Sequence, residues 1–383
     1  MCDILKHTTM KTGDKTMKKI HRTLSLFTVA AMCTALLCSC GDVPDSSQTD
    51  SSSKAATTTT ADTTADTTTT GEASSTASAT SAPDSSVSDS SSAVTDGTKT
   101  NGITPAMWKV TSPEGNTMVM LGSFHALKDE CYPLPEAVTN AYNNADILAV
   151  ECDITSTSED GEYMKNLMKQ MLYNDNTKLS QHISEEAYSA LQTYLGYWGM
   201  DISALEVYRP WAVSSTLDTL LIQNSDFDTE KGLDNFLLTT AHADGKEIYE
   251  VESVDFQMNM LINFSDDIYD LMFRSYEGET KESQKQALED LYTAWKSGDI
   301  ETFLEEDNEE ELAGYTEEDK KIAEDYNNQM LYDRNKNMAK AAEDLMSQGK
   351  NVFYVVGAAH YAGEGGIIDL LEKDGYTAER VQY

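Results

Sequence analysis

Two short motifs hold the chemistry this sequence offers. Gly122-Ser123-Phe124-His125 and Gly357-Ala358-Ala359-His360 share the spacing Gly-X-X-His, and each directly follows an apolar run of strand character. Two glutamates close similar runs: Glu151 ends Asp146-Ile147-Leu148-Ala149-Val150-Glu151, and Glu252 ends Lys246-Glu247-Ile248-Tyr249-Glu250-Val251-Glu252. An imidazole nitrogen gives a lone pair to a metal or a proton, and a carboxylate gives an oxygen to either. Two of each on one edge therefore make a divalent-metal or acid–base site. A lone histidine after a strand is more often a structural hydrogen-bonding residue, and a lone glutamate there is more often solvated; the repeat of the motif is what sets these four apart. The glycine has a physical use, because without a Cβ it permits a sharp turn that sends the side chain three residues on back across the strand end. His182 precedes a helical stretch and His242 lies inside one, so both are read as structural.

The elements that position these residues follow from periodicity. Met107–Thr111 and Thr117–Gly122 flank Ser112-Pro113-Glu114-Gly115-Asn116, which predicts a hairpin. A helix is predicted from Pro135 to Ala145, and the unbroken apolar run 146–151 after it predicts a strand buried on both faces. Strand, helix and strand in that order imply a parallel crossover. Helical spacing recurs over Glu185–Trp198, Trp211–Gln223 after Arg209-Pro210, Leu233–Asp244, Val254–Phe264, Lys281–Lys296 and Glu317–Gln348. Asn351–Val356 is a strand, Gly357–His360 its tight exit, Gly365–Lys373 a helix and Thr377–Val381 a last strand. The expected class is α/β, with a large helical insertion from Glu159 to Gln348 between its halves. In a mostly parallel sheet the carboxyl ends of strands share the edge where ligands bind, and all four candidates fall at such ends.

The rest of the chain addresses and tethers this domain. With 28 Lys and Arg against 65 Asp and Glu, the formal charge is −37, which excludes nucleic-acid binding through a basic face. The acidic span Glu301–Asp325 is read as a solvated face. Met17-Lys18-Lys19-Ile20-His21-Arg22 and the apolar run Leu24–Leu37 form a signal peptide with Met17 as the expected start, because the run is too short for a membrane span. It ends at Leu37-Cys38-Ser39-Cys40-Gly41, which resembles a lipoprotein cleavage box, so residues 1–40 are the leader and Cys40 the lipidated residue. The competing expectation is a plain secretory signal. Residues 41–102 are expected to be a disordered linker: from Pro44 to Gly102 there is no aromatic residue, Leu or Ile, and over half the positions are Ser or Thr. About 280 residues, 103–383, remain for the folded domain. Their two cysteines, Cys131 and Cys152, are too few for a disulfide framework and are expected to be free.

The paired Gly-X-X-His motifs, Val150-Glu151-Cys152-Asp153, the Lys231-Gly232-Leu233-Asp234 helix start, Gly245-Lys246 leading to Val251-Glu252-Ser253 and Gln257, and Gly363 with Gly366 after the closing motif together resemble the TraB/GumN family. That family is related to the Tiki metalloproteases and, more distantly, to erythromycin esterase and ChaN-like folds. The resemblance covers nearly all of Ile103–Tyr383. It departs in having Val251-Glu252-Ser253 where Leu-Glu-Thr is usual, which keeps the carboxylate. It implies a three-layer α/β/α fold whose central mixed, mostly parallel sheet is in two halves. It further implies a site of two histidines and a glutamate pair and, in Tiki-like members, metal-dependent peptide hydrolysis.

The resulting expectation is a lipid-anchored, extracytoplasmic, metal-dependent hydrolase acting on a peptide or small molecule. His125, His360 and Glu151 are the expected ligands of a divalent ion of the Zn, Mn or Co class, and Glu252 is either a fourth ligand or the general base. Arg209 and Arg334 are the cations expected to stabilise an oxyanion or hold a substrate carboxylate, with a helix-surface ion pair as the competing reading for Arg334. Tyr361 is either a hydrogen-bond donor or packing. Two non-catalytic readings stand beside the enzyme: a cleft that sequesters a peptide or small ligand, and a wall-spacing lipoprotein in which the tether matters most.

Overall fold

A computed structural model of the chain describes residues 102–157, 161–304 and 315–383. The leader, Cys40 and the linker up to residue 101 lie outside the described residues. No helix among the described residues is long and apolar enough to cross a membrane.

Six strands form one sheet: β1 Met107–Thr111, β2 Thr117–Ser123, β3 Ile147–Val150, β4 Glu247–Glu250, β5 Val352–Gly357 and β6 Thr377–Arg380, in the order β4-β3-β5-β2-β1-β6. β1 runs antiparallel to both β2 and β6, and the pairs β2–β5, β5–β3 and β3–β4 are parallel. The β1–β2 hairpin turns at Gly115, whose φ of 92° is open to glycine at no steric cost. Every residue of β3 and β5 is buried, as Ile-Leu-Ala-Val and Val-Phe-Tyr-Val-Val-Gly require of central strands covered on both faces. β4 and β6, each with charged residues and mostly exposed, are the edges.

The helices are α1 Glu136–Asn144, α2 Gly161–Gln170, α3 Glu185–Tyr197, α4 Pro210–Gln223, α5 Leu233–Asp244, α6 Val254–Asn263, α7 Asp266–Arg274, α8 Lys281–Ser297, α9 Glu317–Asn327, α10 Asp333–Ser347 and α11 Ile367–Lys373. Residues from α5, α8 and α10 pack with the sheet into one apolar core, α3, α6 and α7 build a second, and α4 joins them, with Trp211 and Leu217 in the second and Leu221 and Ile222 in the first. The fold is α/β with a mixed, mostly parallel sheet, as expected; the run 246–252 inside the long insertion supplies its edge strand β4, parallel to β3. The stretch read as one helix from Glu317 to Gln348 is two, joined without a break in the chain's helical path by a π-helical segment, Asn328–Tyr332.

Candidate functional site

The carboxyl ends of β2, β5, β3 and β4 lie side by side, so the residues that follow them meet. β3 runs straight into Glu151; its pairing with β4 continues one step into the loops through Val251 N–H to Val150 O (2.9 Å) and Glu252 N–H to Glu151 O (2.8 Å). After β5, residues Ala358–Tyr361 wind into a single 3-10 turn that carries His360. His125 lies in the loop after β2, and α5 starts against that loop, with Leu233 N–H bonding Phe124 O at 3.0 Å. The fit there is tight enough that a Cβ on Gly232 would stand 2.1 Å from the His125 carbonyl oxygen, so only glycine lets the helix start there.

The two imidazoles are oriented in the same way. His125 Nδ1 bonds Asp234 Oδ2 at 2.8 Å, and His360 Nδ1 bonds Asn335 Oδ1 at 2.6 Å. Asn335 is itself fixed by donating its Nδ2 to Gly365 O at 2.9 Å, so its oxygen faces His360 and that Nδ1 carries the proton. In both rings the Nε2 is left for the cavity, an arrangement typical of imidazoles that bind metal. They surround Gly357: a Cβ built there would lie 3.0 Å from Glu151 Oε1, 3.5 Å from His360 Cδ2 and 3.7 Å from His125 Nε2. His360 Nε2 stands 3.7 Å from Glu151 Oε1.

Arg334 sits beneath this cluster, buried, and joins the glutamates. Its Nη2 bonds Glu151 Oε2 and Glu252 Oε2, both at 2.8 Å, its Nε bonds Glu252 Oε1 at 2.9 Å, and its Nη1 donates to Met330 O at 3.1 Å. Of the five N–H groups of a guanidinium, one on Nη1 is left over. Gln257 Nε2 adds bonds to Glu151 Oε2 (2.9 Å) and Glu252 Oε2 (2.7 Å), and Gly357 N–H bonds Glu151 Oε1 at 2.7 Å.

Charge follows from these contacts. Burial works against ionising Glu151, but the Arg334 guanidinium, the two imidazoles and the Gly357 N–H hold it well below the usual carboxylate range. Burial likewise opposes the charge on Arg334, and the two carboxylates more than compensate, raising it. Burial and the nearby guanidinium push His360 down to about 3, which keeps it neutral with a free lone pair. Burial opposes the charge on His125 too, but Asp234 outweighs it and lifts the ring to about 9. Cys152 also lines the cavity; burial and the neighbouring carboxylates push its thiol up, so it is no nucleophile at neutral pH.

The cavity these groups line has a volume of about 70 Å³, with Ile154, Met260, Leu261, Met330 and Leu331 as its apolar wall. Of the residues read from sequence, His125, Glu151, His360 and Arg334 line it together. Glu252 stands behind Arg334 with both oxygens engaged and does not line it. Arg209 is not brought here. As the residue before α4 it lines a different pocket that shares no residue with this one, so the expected oxyanion role at the cavity does not hold. Arg334 is no surface pair, being 5 % exposed. Tyr361 is packing: its hydroxyl donates to Tyr354 O and its ring lies against Trp108. His182 and His242 pair with Asp266 and Asp153, and Cys131 and Cys152 are free. Sequence reasoning did not single out Asp234, Asn335 and Gln257 as functional. Asp234 and Gln257 lie in stretches it did mark, whereas Asn335 carried no signal.

The donor set, two imidazoles each oriented through Nδ1 and one carboxylate oxygen around a glycine that leaves room, is chemically that of a divalent-metal site. As placed, no three His, Cys, Asp or Glu groups among the described residues stand close enough to hold an ion. The donors would have to draw together around it.

Residues 106–380 match the TraB/PrgY/gumN family. The chain is 26 % identical over 157 residues to the uncharacterized protein YbaP of Escherichia coli K12, an alignment that covers 41 % of this chain and 56 % of YbaP. It is 24 % identical over 293 residues to a metalloprotease TIKI homolog of Nematostella vectensis, covering 65 % of this chain and 61 % of that one, and 25 % identical over 164 residues to metalloprotease TIKI2 of Danio rerio, covering 38 % and 32 %. The chain thus spans about three-fifths or less of the length of these relatives. No solved structure matches it. The family match covers most of the folded domain and takes in both Gly-X-X-His motifs, both glutamates and Arg334: the chain belongs to the TraB/PrgY/gumN family.

Proposed function

We propose that this chain is a hydrolase, acting on peptide bonds, whose reaction centre is the cavity around Gly357. The observation that carries the reading is the matched pair of imidazoles, each held at Nδ1 and each offering Nε2 to one small space beside Glu151. His125 Nε2, His360 Nε2 and Glu151 Oε1 would hold a divalent ion of the Zn, Mn or Co class; the TIKI relatives are named as metalloproteases, which supports a metal without naming it. Such an ion, when bound, lowers the pKa of a water molecule and polarises a carbonyl. Asp234 and Asn335 fix the rings; Arg334 and Gln257 clamp Glu151 from behind so that Oε1 stays directed at the cavity; the apolar wall excludes water around the substrate. Glu252, engaged by Arg334 and Gln257, neutralises the guanidinium and so positions Glu151 as a ligand. Arg334, which lines the cavity, keeps one Nη1 N–H that could donate to a developing oxyanion.

In this reading the domain is lipidated at Cys40 and held outside the cytoplasm on the 41–102 linker. Cys40→Ala should release it from the membrane fraction. The catalytic test is a peptide library incubated with the purified chain and added Zn²⁺, Mn²⁺ or Co²⁺, beside His125→Ala and His360→Ala. Cleavage by the wild type, lost in both variants with nearly unchanged melting curves, is the expected result; equal activity in the variants refutes the assignment. One observation favours a sequestering cleft instead: the oxygens of both glutamates already have donors. Elemental analysis separates the two readings, since about one ion per chain is expected of the enzyme and none, even after titration, of the cleft.

A further inference from the structure

A second pocket, of about 430 Å³, opens where the chain leaves α2 and enters α4, and Arg209 lines it. In a chain so rich in carboxylates an arginine without a partner is unexpected. Arg274 pairs with Asp270 and Asp319, Arg334 with Glu151 and Glu252, and Arg380 donates to Gly298 O and stacks on Trp108. Among the described residues the Arg209 guanidinium has neither a hydrogen bond nor an ion pair, although it faces a cavity and is only partly exposed. Nearby, the Tyr173 hydroxyl is buried with no hydrogen-bond partner. Its ring is held by stacking on His182, with centroids 4.3 Å apart and planes 16° from parallel. His182 is itself pinned between Asp266 (2.9 Å) and Thr177 (2.8 Å). A stacked aromatic ring with a buried, unpartnered hydroxyl and an arginine with an unused guanidinium fork thus line the same pocket. Leaving both unsatisfied costs stability that an incoming acceptor would restore.

We propose that this pocket binds the C-terminal carboxylate of a peptide. A guanidinium matches a carboxylate with two parallel N–H bonds, and the Tyr173 hydroxyl supplies a third donor. The other charges in the pocket select for a single negative charge. Lys169 and Arg209 share the pocket with Asp175 and Asp266, each of which has one carboxylate oxygen engaged, Asp175 Oδ1 by Thr177 and Asp266 Oδ2 by His182. A phosphate dianion carries up to twice the charge of a carboxylate against that acidic pair, while the planar fork is matched by the two oxygens of a carboxylate. The volume exceeds what one carboxylate fills and falls in the range of small-ligand pockets. Exposed Leu172 gives apolar contact, and the side-chain amides of Gln170 and Asn174 suit peptide groups. Gln170 also borders a neighbouring depression of about 220 Å³ between α2 and α6, along which the preceding residues of the peptide would run.

The test is calorimetric titration of the full chain, with a chelator present so that metal-dependent hydrolysis plays no part. The probes are one uncharged hexapeptide as free acid, the same peptide as C-terminal amide, and inorganic phosphate as competitor. The free acid is expected to bind and the amide to bind at least about tenfold more weakly. Arg209→Gln should reduce free-acid binding to the level of the amide, and Tyr173→Phe, which removes only an unpartnered hydroxyl, should weaken it about threefold to tenfold without lowering the melting temperature. His360→Ala, in the other cavity, should leave binding unchanged. Failure of the free acid to bind, equal binding of acid and amide, or insensitivity to both pocket variants would overturn the proposal. So would loss of binding in His360→Ala or full competition by phosphate.

Discussion

Replacing Gly357 by alanine adds one methyl group at the centre of the candidate site. The backbone there, at φ −51° and ψ 136°, is a conformation that alanine adopts freely, so the substitution brings no torsional penalty. The new Cβ meets Glu151 Oε1 at 3.0 Å, with His360 Cδ2 at 3.5 Å and His125 Nε2 at 3.7 Å. Ordinary contact requires Oε1 to retreat by about 0.4 Å. It cannot swing freely, because Oε2 is held by Arg334 at 2.8 Å and Gln257 at 2.9 Å while Oε1 itself accepts the Gly357 N–H at 2.7 Å. The strain is therefore shared between that short hydrogen bond and the guanidinium. Overpacking of this size costs about 1–2 kcal/mol, or a few degrees in melting temperature for a domain of this length. For a reaction that depends on where Oε1 and the two Nε2 atoms stand, a displacement approaching half an ångström, with the methyl group filling the space a ligand would use, should lower turnover by about 100-fold. The assays are hydrolysis of the best library peptide and a thermal melt. Gly161→Ala in α2, where a Cβ meets nothing within 4 Å, serves as the control. Gly357→Ala with undiminished activity would refute the placement of the reaction centre.

Gly232→Ala should be far more damaging to the fold, because its Cβ would lie 2.1 Å from the backbone oxygen of His125 and backbone cannot step aside cheaply; a loss of about 3 kcal/mol or more, read by denaturant titration, is expected. Asp234→Asn should expose the pH dependence of His125. Asp234 raises the folded-state value of this ring from 6.5 to about 9, so its stabilisation of the metal-free chain is fully present below pH 6.5 and is lost as pH rises through 9; the gap in melting temperature between wild type and variant should close across that window. Asp218 in α4 is buried, with Oδ2 unpartnered, and burial alone raises its carboxyl well above the ordinary value. A raised carboxyl destabilises the fold increasingly as pH climbs above its unfolded value of 3.8, so Asp218→Asn should melt higher than wild type at neutral pH and the advantage should vanish in acid. Arg334→Met should cost about 3–5 kcal/mol by leaving two buried carboxylates facing each other, and Glu252→Gln in the same chain should recover part of it.

The parts of this architecture that rest on unbroken local pattern were legible in the sequence. The Ser112–Asn116 turn, the all-apolar cores of β3 and β5 and the Asp244-Gly245 break each determine an element by short-range chemistry, and each strand end leads to one of the four candidate residues. Helix α7 was not legible because its nine residues carry three aspartates, and its apolar stripe is recognisable only against α3 and α4. The π segment could not be seen either, since apolar spacing through 328–332 reads the same with one residue of extra winding per turn. Arg209 was misplaced because proximity to a helix start says which helix a residue precedes but not where that end lies: the start of α4 packs in the second core, and Arg209 lines a pocket there. Asn335 gave no signal because its role depends on a ring 25 residues further on, brought beside it only when α10 packs under β5.

The π segment explains how Arg334 comes to serve both glutamates. A π turn widens the helix by one residue and leaves carbonyls displaced from their usual acceptors. Here Met330 O receives Arg334 Nη1, a side chain four residues on, while Met330 and Leu331 turn into the cavity wall. The guanidinium is thereby tied to its own helix on one side and to Glu151 and Glu252 on the other, which leaves it one free N–H and little freedom to move. Glu252 extends this arrangement to edge strand β4, so the helical insertion, the central strand and the sheet edge are locked together at one buried cation. A site built in this way keeps Glu151 ionised without a metal, and its two imidazoles then differ: His125 is charged by Asp234, and His360 is kept neutral by burial and by the same arginine. An incoming divalent ion would therefore have to displace one proton, from His125, and its affinity should rise as pH approaches 9.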